Sequence, residues 1–267
     1  MFKFGENWAS FSRQLEEEQI EIAMNSLESL FGTGALQGKS FLDVGCGSGI
    51  FSIAAARLGA GKVLGLDADP VSISTSEANA EQWYQGDGSR LSFCCLSVLD
   101  TPKMEDLGKF DIVYSWGVLH HTGNMTLALR NSAQRVDHQG LLMIAIYNRH
   151  WSSLPWKIIK WSYNRVGPFG QKILIWILTP IIFVAKFLVT FKNPLRVRRG
   201  MDFMHNIIDW VGGYPYEYAS TQEMTEALKK LGFETILVRP ANVPTACNEF
   251  VCKLTYRSSH TQVNFLD

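Results

Sequence analysis

Phe41-Leu-Asp-Val-Gly-Cys-Gly-Ser-Gly49 begins as an apolar run and then turns to glycine at every second position, Gly45, Gly47 and Gly49. It continues as Ile50-Phe-Ser-Ile-Ala-Ala-Ala56, which has helical composition. Strand, glycine turn and helix together let a ligand lie against bare backbone. Glycine admits positive φ and lacks the Cβ that would block close approach, and a helix N-terminus offers unpaired N–H groups. Many tight strand-to-helix turns contain two glycines and bind nothing, so the neighbouring residues must decide. Val63-Leu-Gly-Leu-Asp67 reads as a second strand ending in an acid, eighteen positions past Gly49. In doubly wound nucleotide folds, an acid at that strand tip accepts from a ribose diol.

Leu42–Gly49, then Gly65-Leu-Asp-Ala-Asp-Pro70, then Phe110-Asp-Ile-Val-Tyr-Ser-Trp-Gly-Val-Leu-His-His121 together resemble the class I S-adenosylmethionine-dependent methyltransferases. The resemblance is strong over about 38–148, weaker over about 220–254, and closest to the small-molecule branch with the ubiquinone-type O-methyltransferases. It implies an α/β fold: a doubly wound, seven-stranded, mostly parallel, Rossmann-like sheet. It also implies S-adenosyl-L-methionine as cofactor and S-adenosyl-L-homocysteine as product. On that basis Asp43, Gly45, Cys46, Gly47 and Gly49 form the cofactor turn, and Asp67 with Ala68 meets the ribose. Asp100 is the candidate acceptor for the adenine amino group, with Leu99 against the ring. An N-cap before Thr101-Pro102 is the competing reading of Asp100. Ser115 and Trp116 are expected at the methionine end, and Trp8, in an aromatic N-terminal arm, is a candidate lid residue.

Apolar runs at Leu91–Leu96, Phe110–Ser115 and Gly140–Ile146 supply the next three strands. In open α/β sheets ligands bind at the carboxyl ends of strands, where the strand order switches. The first and fourth strands are expected to flank that switch. His120 and His121, just past the fourth strand, then stand where an acceptor would meet the cofactor, and either could take a proton near neutral pH. Tyr147 follows the fifth strand.

Five stretches are expected: an arm and helix (1–36), the cofactor core (37–148), a helical cap inserted after the fifth strand (149–219), a closing helix with two strands (220–256), and a polar tail (257–267). The cap is chemically distinct. Residues 149–200 carry ten Lys and Arg and no Asp or Glu, although the whole chain is neutral, with 25 of each sign. An uncharged run of 13 residues, Ile173–Ala185, is interrupted by Pro180, too short as it stands for a membrane span of about 20 residues. Two readings stay open: a cap packed on the core or on a second copy in a homodimer, or peripheral contact with a membrane through 149–200. The acidic remainder of the chain disfavours nucleic acid, though aromatics among cations leave RNA as a minor alternative.

Further on, His205 and Asp209 are four apart on a predicted helix, so His205 is a third candidate base with Asp209 to orient it. Asp209, Trp210, Tyr214 and Tyr216 are candidates for a mostly apolar pocket around a small-molecule or lipid-like acceptor. Ser220 and Glu223 have capping-box spacing before a helix over 221–231. The five cysteines show no Cys-x-x-Cys pair, so no metal site is expected. With no basic, apolar leader at the N-terminus, the expected location is the cytoplasm, with the membrane surface as the peripheral alternative. A non-catalytic cofactor-binding module is the competing functional class.

Overall fold

β1 (Ser40–Val44) is buried over its last four residues because it runs through the middle of a sheet covered on both faces. It pairs in parallel with β2 (Lys62–Asp67) on one side and β4 (Phe110–Trp116) on the other. The computed structural model describes residue 5 and residues 15–191, 203–241, 243 and 246–256, with backbone alone at 186, 189, 190, 203–206 and 209. Trp8, the cations at 192–199 and the tail 257–267 lie outside the described residues.

The seven strands follow the order β3-β2-β1-β4-β5-β7-β6, with β3 at Leu91–Cys95, β5 at Val136–Tyr147, β6 at Phe233–Arg239 and β7 at Cys247–Leu254. β7 lies antiparallel between β5 and β6, and the other pairings are parallel. The chain leaves β1 toward β2 and β3, then returns to place β4 on the opposite side. The order therefore switches between β1 and β4, as expected.

Successive residues of a strand point to opposite faces, so β1 feeds two cores. Leu42 and Val44 join Val113, Leu142, Ile144 and Phe250 on one face, beneath α5 (Met125–Gln134) and α9 (Thr221–Lys230). Phe41 joins Ile112, Tyr114 and Met143 on the other, against α1 (Glu17–Phe31) and α2 (Ile50–Arg57). α1 contributes Ile20, Ala23, Leu27 and Leu30, the inward part of the stripe visible in its sequence. α3 (Pro70–Trp83) and α4 (Thr101–Asp106) follow β2 and β3.

After β5 comes the cap: α6 (Ser153–Tyr163), α7 (Pro168–Thr190) and α8 (Phe203–Gly212). It has a small core of its own, in which Tyr163, Ile207 and Val211 are buried and Leu174, Ile175, Leu178 and Ile182 pack against them. The expected break at Pro180 does not occur, and α7 continues through it for 23 residues, about 35 Å at 1.5 Å per residue. Proline removes one N–H and crowds the carbonyl four residues back; here packing on α6 and α8 holds the helix together across that gap. The length argument against a span therefore does not hold for the folded helix.

The capping box at α9 forms as its spacing predicts. Ser220 Oγ accepts from the Glu223 amide at 3.2 Å, and Glu223 Oε2 accepts from the Ser220 amide at 2.8 Å. Replacing Ser220 with Ala leaves an unpaired donor at the helix start, and is expected to cost about 1 kcal/mol, read as a lower midpoint in urea unfolding with an unchanged slope.

Candidate cofactor and acceptor site

The glycine turn is shaped by hydrogen bonds from its surroundings. The amides of Gly45 and Cys46 both donate to the Leu66 carbonyl, at 2.7 and 2.9 Å. The Gly47 amide donates to Asp67 Oδ2 at 3.1 Å. Ser76 Oγ and Asn79 Nδ2, both from α3, hold the carbonyls of Gly47 and Ser48 at 2.9 and 2.8 Å. All three glycines have positive φ: 79° at Gly45, 57° at Gly47 and 78° at Gly49. At Gly45 the absence of a side chain is doubly required, since a Cβ there would lie 2.4 Å from Val118 Cγ1.

Two acids close the floor. Asp43 is buried at the end of β1 and accepts from Ser52 Oγ at 2.7 Å. Burial is the main cause that pushes its carboxyl up to about 7; the Ser52 hydroxyl pulls it back, and Asp67 adds a smaller upward push. Asp67, at the end of β2, is also raised by burial, against the lowering effect of the Asp69 and Gly47 amides. Among the described residues neither acid is in an ion pair. Two desolvated carboxyls beside a turn of bare backbone suit a ligand that brings hydroxyls and positive charge, and S-adenosylmethionine carries both. Cys46 is held as a neutral thiol, first by burial and then by Asp43 and Asp67.

The remaining cofactor candidates fall around this turn. Ala68 lies in the turn after Asp67, whose neighbour Asp69 accepts from the Gly5 amide at 3.1 Å, so part of the N-terminal arm rests beside the ribose end. Ser115 Oγ donates to the Val44 carbonyl at 2.9 Å and ties β4 to β1. Trp116 Nε1 donates to Glu249 Oε1 at 3.0 Å, a partner on β7 placed by the antiparallel insertion. Leu99 is partly buried against the core. Asp100 forms the N-cap of α4, accepting from the Lys103 amide at 3.4 Å and pairing with Lys103 Nζ at 3.0 Å. Each Asp100 oxygen keeps further acceptor capacity beside these contacts.

Past β4, a short 3-10 turn carries Leu119, His120 and His121, all buried. The Tyr147 amide donates to His120 Nδ1 at 3.3 Å. His121 Nδ1 lies 2.7 Å from the Pro215 carbonyl, which can only accept, so the proton sits on Nδ1. Burial lowers both rings, His120 well below its ordinary range and His121 to about 3, with nearby Lys160 adding to each. Both are neutral imidazoles at neutral pH.

Tyr147 lies tilted against His120 with centroids 3.9 Å apart and meets Trp210 at 5.0 Å and Tyr216 at 5.2 Å. Lys160 of α6, read in the sequence only as one cation among ten, is fully buried in this cluster, 4.0 Å from the Trp210 ring and 4.9 Å from Tyr216. Its sequence signal was aromatic neighbours at helical spacing, Trp156 and Tyr163. The structure thus gathers Tyr147, Trp210 and Tyr216 with His120 and His121. Tyr214 is half-buried just before Pro215. His205 and Asp209 share α8, and their side chains lie outside the described residues. Among the described residues no group of acids, histidines and cysteines is arranged to hold a metal.

Asp43 must be ionised to pair with a cationic ligand, and in the free protein it titrates near pH 7. A raised carboxyl holds its proton below that pH, and binding must expel it. Affinity for S-adenosylmethionine is therefore expected to rise about tenfold from about pH 6 to about pH 8. In Asp43→Asn calorimetry should show weaker binding with no such pH dependence. In Gly45→Ala the clash with Val118 should abolish binding.

The methyltransferase-domain family matches residues 15–238. The ubiquinone biosynthesis O-methyltransferase of Bartonella tribocorum is 31% identical over 136 residues, 51% of this chain and 49% of that protein. The ribosomal protein L11 methyltransferase of Xanthomonas euvesicatoria is 46% identical over 61 residues, 23% of this chain and 20% of that protein. The chain thus spans about half or less of the curated relatives it matches. Among solved structures, magnesium protoporphyrin IX methyltransferase from Synechocystis with bound SAM superposes with a TM-score of 0.54 at 14% identity, covering 88% of this chain and 79% of that one. An O-methyltransferase family protein from Burkholderia thailandensis gives 0.54 at 15%, covering 91% and 58%. At such identities these likenesses speak for the fold alone. The family match covers more than four-fifths of the sequence, and with the glycine turn and sheet order already described it places this chain in the class I S-adenosylmethionine-dependent methyltransferase family.

Proposed function

We propose that this protein transfers a methyl group from S-adenosylmethionine to an oxygen or nitrogen of a small-molecule or lipid-like acceptor, releasing S-adenosylhomocysteine. One observation carries the reading. Val118, which begins the turn bearing His120 and His121, lies directly against Gly45 of the cofactor turn. The aromatic and imidazole cluster therefore adjoins the end of the cofactor site where a methyl group would be presented.

The cofactor supplies an activated methyl on a sulfonium centre. The chain's own residues do the rest. The carboxylate of Asp67 receives the ribose hydroxyls, and Asp43 neutralises positive charge at the methionine end. Tyr147, Trp210 and Tyr216 enclose an apolar acceptor and exclude water. Neutral His121, fixed by the Pro215 carbonyl, orients the acceptor's O–H or N–H, whose proton is lost to solvent, since burial and Lys160 disfavour a charged ring there; His120, whose Nδ1 is occupied by the Tyr147 amide, holds Tyr147 in place. Holding reacting atoms in line supplies much of the acceleration in such displacements. Oxygen acceptors are supported by the partial likeness to the ubiquinone-type O-methyltransferases. We further place the protein in the cytoplasm.

Product formation on a panel of phenols, catechols, carboxylic acids and amines, followed by mass spectrometry, tests the reading; no methylated product from any of them would favour a binding module instead. His121→Ala is expected to lower kcat by about 10²-fold through lost orientation of the acceptor with cofactor affinity unchanged. Asp67→Ala should weaken cofactor binding at least tenfold, and intact affinity there would remove the ribose assignment.

A further inference from the structure

Fourteen of the seventeen large apolar side chains exposed among the described residues fall between Trp151 and Phe191, in α6, α7 and the segments flanking them. On α7 they form one stripe: Phe169, Ile173, Trp176, Ile177, Ile181 and Val184 recur at three- and four-residue spacing. Trp176 and Phe169 are 78% and 79% exposed. The opposite side of the same helix, Leu174, Ile175, Leu178 and Ile182, packs into the cap core. Over Pro168–Ala185 the mean hydropathy is 1.6, and none of that stretch is buried. On α6, Leu154, Ile158 and Trp161 continue the exposed apolar face.

Charge accompanies this face with a single sign. From Arg149 to Phe191 the sequence holds six cations and no acid. Lys157, Arg165 and Lys172 are exposed beside the stripe, and Arg165 lies over the Trp161 ring at 4.3 Å. Tryptophans at a polar boundary, an apolar stripe and flanking cations suit the zone between acyl chains and anionic headgroups. Among the described residues an apolar face flanked by Lys157, Arg165 and Lys172 brings like charges together when it meets a second copy of itself, whereas an anionic lipid surface satisfies the apolar stripe and the cations at once.

We propose that the outer face of α6 and α7 docks in the plane of a bilayer containing anionic lipids, with the α7 stripe below the headgroups and Lys157, Arg165 and Lys172 at their level. The helix lies along the surface because its inner side remains packed on α6 and α8. This docking is independent of which acceptor is methylated.

Flotation of the full chain with phosphatidylcholine vesicles, with and without phosphatidylglycerol, tests it. Binding is expected to the anionic vesicles, with a blue shift in tryptophan emission, and to weaken as salt rises. Trp176→Glu and Ile181→Glu, both at exposed positions, should each lower vesicle partition at least tenfold while circular dichroism and cofactor affinity stay as in the parent. Lys172→Glu should weaken binding to anionic vesicles alone. No flotation on either vesicle, or undiminished flotation of both glutamate variants, overturns the proposal. So does a dimer in sedimentation equilibrium that Trp176→Glu dissociates without any vesicle binding, since a second copy then covers the face. Resistance of membrane-bound protein to alkaline carbonate also overturns it, because it indicates a spanning helix. Failure of docking would leave cofactor binding and methyl transfer to water-soluble acceptors unchanged, so the two readings fall separately.

Discussion

The contact between Val118 and Gly45 is the constraint on which the rest of the site depends. Two strands meet at the switch in sheet order, and the segment leaving β4 must cross directly over the turn leaving β1. A side chain at Gly45 would fill the space Val118 occupies. The turn itself is fixed by carbonyls and amides from β2 and α3, so it cannot retreat to make room. The result is a rigid edge of backbone with Asp43 and Asp67 on one side and the aromatic and imidazole cluster on the other.

That edge comes with an electrostatic cost placed where a ligand can relieve it. Asp43 is raised from 3.8 to about 7, a difference of about 4 kcal/mol against the ionised form. Ser52 offsets part of the burial but cannot replace a counter-charge. A cationic ligand turns this penalty into selectivity: it gains by ionising Asp43, whereas a neutral or anionic one does not. The imidazoles across the edge are biased the opposite way. Burial and Lys160 hold them neutral, so they present hydrogen-bonding rings without repelling a sulfonium. Opposed shifts of this kind separate the carboxyl side of the edge from the imidazole side.

Much of this was legible in the sequence for physical reasons that can be named. Central parallel strands are buried on both faces and read as apolar runs, and a turn that needs positive φ at three places advertises itself as glycine. The mostly parallel, seven-stranded sheet followed from family resemblance, and the switch between the first and fourth strands from the general rule for open α/β sheets. Other features depended on tertiary neighbours. α7 looked broken because Pro180 stops an isolated helix, yet packing on one side carries it through. Asp100 kept both of its readings, since capping and adenine recognition call for the same carboxylate at the same place. Lys160 was hidden by its residue type, because a lysine within a run of cations gives no sign of being enclosed by Tyr147, Trp210 and Tyr216.

The cap connects these observations to the surface. α6 contributes Lys160 and Trp156 inward, with Trp156 against Trp210 at 5.4 Å, and Leu154, Ile158 and Trp161 outward. One helix thus forms part of the aromatic cluster with one side and part of the exposed apolar face with the other. A helix of 3.6 residues per turn can do this only if its apolar residues are not confined to a single stripe, and α6 has apolar or aromatic residues around most of its circumference. A purely protective cap needs the inward side alone. Among the described residues the outward side has no packing role, and the cations beside it are not required for solubility in a protein that is neutral overall. Both features are accounted for by a surface with which the cap makes contact.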